Sequence, residues 1–180
     1  RMFRLTTAGE SYGTALVAIL DGVPCGLPLT EADIQPDLDR RRPHQSPITS
    51  PREETDKVKI VAGVMDGFTT GAPVGLLIYN VDTLPHHIDQ YRRVNQLMRP
   101  GHADYTYHVK YGKYRDWIGA GRASGRETAA RVAAGSVAKK ILSRTAIRVV
   151  AYTKEMAGVA CPEMDFDAIV ANVESNMARC

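Results

Sequence analysis

Residues 121–135 read GRASGRETAARVAAG, and this stretch constrains the fold more than any other. Gly121 and Gly125 favour a loop, after which Ala129, Ala130, Ala133 and Ala134 bring strong helix propensity. Ser124 and Glu127 have the S-x-x-E spacing of a capping box, which predicts a helix over residues 124–144. Small residues lie on more than one face of that helix, so tight burial between layers is expected. A helix start also carries unpaired backbone N–H groups at the positive end of its dipole. Arg122, Ser124 and Arg126 therefore form a candidate anion site. A plain capping box flanked by solvated arginines is the alternative.

Around this helix the chain reads as short strands and turns. Residues 3–7 and 14–20 are strand-like, joined by a turn at 9–13, and neither alternates clearly, so both are expected to be well buried. Thr30 with Asp33 marks a helix start, and that helix runs toward Arg42, with Pro36 an unexpected member. Residues 43–56 hold three prolines and no apolar period, as a long loop would. Residues 57–62 and 74–80 are predicted strands flanking a Gly/Thr-rich turn at 67–71. The polar stretch 81–98, with His86 and His87, reads as a surface loop, because no third metal ligand stands at sensible spacing. Residues 147–152 are a further predicted strand and 165–177 a further helix. There is no internal repeat.

Length and charge narrow the function classes. At 180 residues the chain can bury one core. A net charge of +3 is too mild for the basic footprint of a nucleic-acid binder, and polar residues interrupt every apolar run well short of a membrane span. The kind of cation is more telling: 16 Arg against 7 Lys, and arginine is the residue suited to forked binding of phosphate and carboxylate. Cys25, Cys161 and Cys180 form no CxxC, and an odd, scattered set fits a reducing cytosol. No basic-then-apolar leader precedes the first strand, so no secretory signal is expected. Nucleotide-binding GxGxxG and P-loop patterns are absent.

Two further groups could do chemistry. In RPGHADYT (99–106), His102 follows a Pro-Gly turn and precedes Asp104, a potential orienting partner. Histidine can deliver a proton near neutral pH. In GESYG (9–13), two glycines allow close backbone approach, and Ser11 and Tyr12 carry hydroxyls. Read alone it is an ordinary turn. Arg40, Arg41 and Arg42 at a helix end could simply complement the dipole.

TTAGESYG (6–13), DGVP (21–24), PLTEAD (28–33), DLDRRRP (37–43), TTG (69–71), RPGHADYTY (99–107), KYG (110–112) and GRASGRETAARVAAG together resemble the N-terminal part of the chorismate synthases. The resemblance spans nearly the whole chain in family order. It implies an α+β fold, a β-α-β sandwich with long central helices between antiparallel sheets. Residues 1–180 would be the N-terminal part of a single domain whose other half carries much of the flavin site. It implies 1,4-elimination of phosphate from 5-enolpyruvylshikimate 3-phosphate to give chorismate, dependent on reduced FMN without net redox change. NADPH serves as reductant in some members. It further implies a cytoplasmic homotetramer, with no nucleic acid or membrane partner. Carried over by position, His102 is the catalytic histidine beside the flavin. Arg99, Arg122, Ala123 and Ser124 contact the cofactor. Ser11, Arg41 and Arg126 contact substrate.

The sequence also departs from the family. Tyr12 stands where the motif reads GESHG, at the position of the acid for the leaving phosphate, and a phenol with pKa near ~10 is a poor proton shuttle at neutral pH. Tyr12 is carried as a catalytic candidate with weakened turnover expected; an impaired relative that still binds flavin or a phosphorylated ligand is the alternative. Pro47 replaces a usual basic residue and His44 a usual glycine, while Ile118 and Ala120 alter the Arg-Gly-Gly run before Arg122.

Overall fold

In the computed structural model, residues 2–43, 52–83, 85–156, 158–160 and 167–171 are described. The first of two compact units, Arg1–Ala138, is built on a four-stranded antiparallel sheet of β1 (Arg4–Ala8), β2 (Ala15–Asp21), β3 (Val58–Ala62) and β6 (Val74–Tyr79), in the order β1-β2-β6-β3. A small hairpin of β4 (Val64–Met65) and β5 (Phe68–Thr69) lies between β3 and β6 in sequence. Its turn residues Asp66 and Gly67 both have positive φ, the primed-turn geometry that suits tight hairpins. The architecture is α+β, in keeping with the family expectation.

Burial corrects the reading of the first two strands. β2 alternates, with Leu16, Ala18 and Leu20 buried, because only one of its faces meets the core. Among the described residues β1 is an edge strand, largely exposed and paired with β2 alone. On the inner face, Val74, Leu76 and Ile78 of β6 and Val58 of β3 join the β2 residues in the core.

The helices are α1 (Gln35–Arg41), α2 (Pro85–Val94), α3 (Asp104–Tyr111) and α4 (Thr128–Leu142). Thr30 and Asp33 form a reciprocal capping box on a 3-10 turn, Glu31–Asp33, and α1 starts afresh at Gln35. That places Pro36 in the first turn of α1, where its missing N–H has no partner to lose. α2 replaces the loop expected over 81–98. α4 buries Ala129, Ala130, Ala133, Ala134 and Val137, and Ser136 Oγ donates to Asp37 of α1 at 2.8 Å. No helix among the described residues is long and apolar enough to cross a membrane.

The second unit, Lys139–Cys180, holds the end of α4 and a hairpin of β7 (Glu155–Met156) and β8 (Val159–Ala160). The strand expected at 147–152 is absent: Ile147, Val149 and Tyr152 are exposed in irregular backbone, where β-branched side chains have no sheet surface to pack on. Residues 167–171 are helical, within the helix expected at 165–177. The remainder of that helix, Cys161, Cys180, His44 and Pro47 lie outside the described residues. Cys25 is a free, exposed thiol.

Candidate functional site

The turn between β1 and β2 supplies one wall. Asn80 closes it, donating from Nδ2 to the carbonyls of Glu10 (2.9 Å) and Gly13 (2.7 Å). Ser11 is buried there and accepts from Arg52 Nη1 at Oγ (2.8 Å) and from Arg52 Nη2 at its carbonyl (2.7 Å). The Tyr12 ring meets Tyr91 of α2 edge-on at 5.6 Å between centroids, with the Arg52 guanidinium 5.0 Å from its own centroid. Behind it lies Gly119, where a Cβ would fall 2.5 Å from Tyr12 Cε2. Burial, reinforced by Tyr91, raises the Tyr12 phenol above its ordinary value.

The start of α4 supplies a second wall. Ser124 caps a 3-10 turn, Gly125–Glu127, that leads into the helix, and its Oγ accepts from Arg126 N at 3.2 Å. The expected reciprocal bond, from Ser124 N to the Glu127 carboxylate, is not made; Ser124 N donates to the Gly121 carbonyl at 3.4 Å. Glu127 instead accepts from Thr7 Oγ1 (2.7 Å), Arg122 Nη2 (3.2 Å) and Arg131 Nε (2.8 Å). Burial alone would raise its pKa, but the bonds from Arg131 and Thr7 outweigh that and hold it below the usual range. Ser124 Oγ also donates to Ser11 Oγ at 3.2 Å, joining the two walls.

Between them lies a buried charge network that sequence reading missed. Asp56 is fully buried and accepts from Arg126 Nη1 and, at 3.0 Å, from Arg41 Nη1. Arg126 spends its other donors on Asn80 Oδ1 (2.9 Å) and the Tyr79 carbonyl (3.4 Å), with Glu54 3.5 Å from Nη2. Arg41 Nη2 donates to the Gly125 carbonyl at 2.9 Å. Glu54, also buried, accepts from Arg52 Nε (2.8 Å) and Val81 N (2.9 Å). The only sequence signal was the run Arg52, Glu54, Asp56 at every second position, inside a proline-rich stretch that looks like solvated loop.

The third wall comes from the RPGHADYT turn. Arg99 forks onto Asp104, Nε to Oδ2 at 2.7 Å and Nη2 to Oδ1 at 3.0 Å. The guanidinium beside it lowers the Asp104 carboxyl to about 2. His102 Nδ1 lies 3.0 Å from Asp104 Oδ1 and 3.2 Å from the Asp104 amide. The amide suits a ring that accepts at Nδ1 with its hydrogen on Nε2, and the carboxylate suits a ring that donates from Nδ1.

These walls enclose a cavity of ≈ 880 Å³, within the range of small-ligand sites. Ser11, Tyr12, Arg41, Arg99, His102, Ala123, Ser124 and Arg126 all line it. Arg122 does not: it turns away, donating to the Gly9 carbonyl (2.8 Å) and Thr7 Oγ1 (2.7 Å). Asp82, His87 and Tyr91 add a further side, carried on α2 and the residues before it, whose polar sequence shows no helical period. No cluster of three or more metal-ligating side chains occurs among the described residues, so His86 and His87 have no such partners there.

The chain matches the chorismate synthase family over residues 3–180. A chorismate synthase of Methanococcoides burtonii is 49% identical over 178 residues, covering 99% of this chain and 48% of that protein. That of Methanosarcina mazei is 46% identical over 180 residues, covering 100% and 48%, and that of Chloroflexus aggregans is 48% identical over 179 residues, covering 99% and 47%. A crystal structure of a chorismate synthase aligns with TM-score 0.56 at 38% identity, covering 80% of this chain and 35% of that one. The chain thus spans about half the length of the relatives it matches. With cavity-lining motifs in family order and a match along nearly all of its own length, the chain belongs to the chorismate synthase family.

Proposed function

We propose that the protein carrying this chain converts 5-enolpyruvylshikimate 3-phosphate to chorismate by 1,4-elimination of phosphate, with reduced FMN as cofactor. The observation that carries this reading is the convergence of eight motif residues on one cavity. The donor set suits an anionic flavin: Arg99 is half-exposed at the cavity, with His102, Ala123 and Ser124 beside it. When bound, reduced flavin supplies electron density transiently without net redox change.

The chain's own residues position and balance charge. Ser11 offers a hydroxyl fixed by Arg52, and Arg41 brings positive charge to the substrate anions. Arg126 acts from behind, since its donors are taken by Asp56, Asn80 and Tyr79. His102, held by Asp104 through Nδ1, leaves Nε2 as the ring nitrogen that exchanges a proton with the flavin. Residues 1–180 form the N-terminal part of a single domain in this reading, and the family resemblance supports a cytoplasmic homotetramer.

Anaerobic incubation of the full-length protein with chemically reduced FMN and the enolpyruvyl substrate should yield chorismate and phosphate in equal amounts. No product under those conditions would overturn the reading. Replacing the chemical reductant by NADPH tests whether the protein reduces its own flavin.

A further inference from the structure

Asp82 Oδ1 and His87 Nδ1 stand apart among the described residues: both atoms are buried without a hydrogen-bond partner, and they face each other at 3.9 Å. Leaving such groups unpaired is costly, so the arrangement calls for a physical reason. Asp82 is already anchored, its Oδ2 accepting from Glu53 N at 3.1 Å. A small closing movement with a proton on Nδ1 converts two unpaired atoms into one charge-assisted bond. When the ring carries both protons, Nδ1–H faces Asp82 and Nε2–H is left as its second donor.

Both residues line the cavity beside Ser11, Tyr12 and Arg52. The His87 ring stands edge-on to Tyr12 at 6.4 Å. The charged and titratable neighbours on this side are Asp82 and Glu53 before α2, Tyr91 and His86 on α2, and Tyr12 and Arg52 from the facing segments. Of these, only an imidazole can hold and release a proton near neutral pH.

We propose that His87, oriented by Asp82, is the proton donor of the Tyr12 wall and serves the departing phosphate. This rests on the phosphate elimination assigned above. As the C–O bond to phosphate breaks, its electron pair stays on the oxygen, which takes the Nε2 proton from His87. The neutral ring is reprotonated from solvent. The substrate ring's C–H electron pair forms the new double bond as the existing one shifts, and its proton is released to solvent, so the proton count is unchanged.

In the full-length protein, His87→Gln should lower kcat by about 100-fold with KM changed less than about 3-fold, and should remove the alkaline fall of the kcat–pH profile. Asp82→Asn should shift that fall to lower pH with a smaller loss. Adding Tyr12→His to His87→Gln should restore part of the turnover. A kcat within about 2-fold of the parent, with an unchanged pH profile, overturns the proposal. A second measurement does not depend on turnover. Inorganic phosphate should move the His87 imidazole ¹⁵N signals toward the protonated form, and Asp82→Asn should abolish the movement. Signals that stay put overturn the proposal. If the protein makes no chorismate but phosphate moves them, the assigned reaction fails and the phosphate-facing donor stands.

Discussion

The Arg126 guanidinium donates to the carboxylate of Asp56 where the two side chains are 3% and 0% exposed. Arg41 binds the second oxygen of the same carboxylate, so one acid holds two arginines at the cavity floor.

Removing that acid takes one carboxylate from two guanidinium groups, leaving Arg126 with Glu54 at 3.5 Å and Arg41 with the Gly125 carbonyl. Asp56 has φ 47°, and asparagine tolerates this left-handed geometry, so Asp56→Asn tests the charge rather than the backbone. It should destabilise the chain by about 3–5 kcal/mol, the range for breaking a buried pair. Urea unfolding of both proteins measures the difference; a loss below about 1 kcal/mol would show that the arginines find other partners.

The Arg99–Asp104 fork gives a pH-dependent contribution with a defined sign. The folded carboxyl lies at about 2, below its unfolded value of ~4. Its stabilisation is complete above the unfolded value and is lost as pH falls through the folded one. Arg99→Gln should therefore be less stable than the parent at pH ~5, and the gap should close toward pH ~2. Denaturant midpoints at both pH values decide it, and a gap independent of pH would refute the assignment.

Tyr12 titrates in the opposite sense. Burial and Tyr91 keep its phenol neutral beyond the ordinary range, so the associated stability is present below ~10 and lost as pH rises through the folded value. Tyr91→Phe should bring the Tyr12 titration down, read from the ¹³C shift of its ring carbon. An unchanged or higher midpoint would assign the shift to burial alone.

Ala120 carries a strain that can be relieved. It is buried with φ +73° between Gly119 and Gly121, which also have positive φ. A left-handed alanine costs about 1–2 kcal/mol, while glycine returns part of that through the unfolded chain. Ala120→Gly should raise stability by about 0.5–1 kcal/mol in denaturant unfolding. A neutral or negative change would mean that the alanine methyl packs well enough to offset its backbone.

How much of this was legible depended on local chemistry. β2, β3 and β6 could be placed because apolar runs end at turn residues, and α4 because capping and alanine propensity agree. α2 was hidden by its composition: Ile88 and Val94 are its only aliphatic residues, too few to show a helical period. The run at 147–152 misled for the converse reason, having strand-forming side chains with nothing to pair against. In the site, glycines and the Pro-Gly turn flagged Ser11, His102 and Ser124. Asp56 and Glu54 escaped notice because acids are almost never buried unless paired, and their partners Arg41 and Arg126 are 15 and 70 residues away in sequence for Asp56. Glu127 was read as a cap partner and is instead claimed by Thr7, more than a hundred residues distant.

Arg122 never reaches the cavity, yet its bonds to Gly9 and Thr7 lock the β1–β2 turn to the start of α4. The two motif segments are thereby assembled before any ligand arrives. A ligand entering between them need not freeze two independent loops, so less of its contact energy is consumed by ordering the protein. Cutting this tether should weaken binding chiefly through entropy, with every cavity side chain still in place.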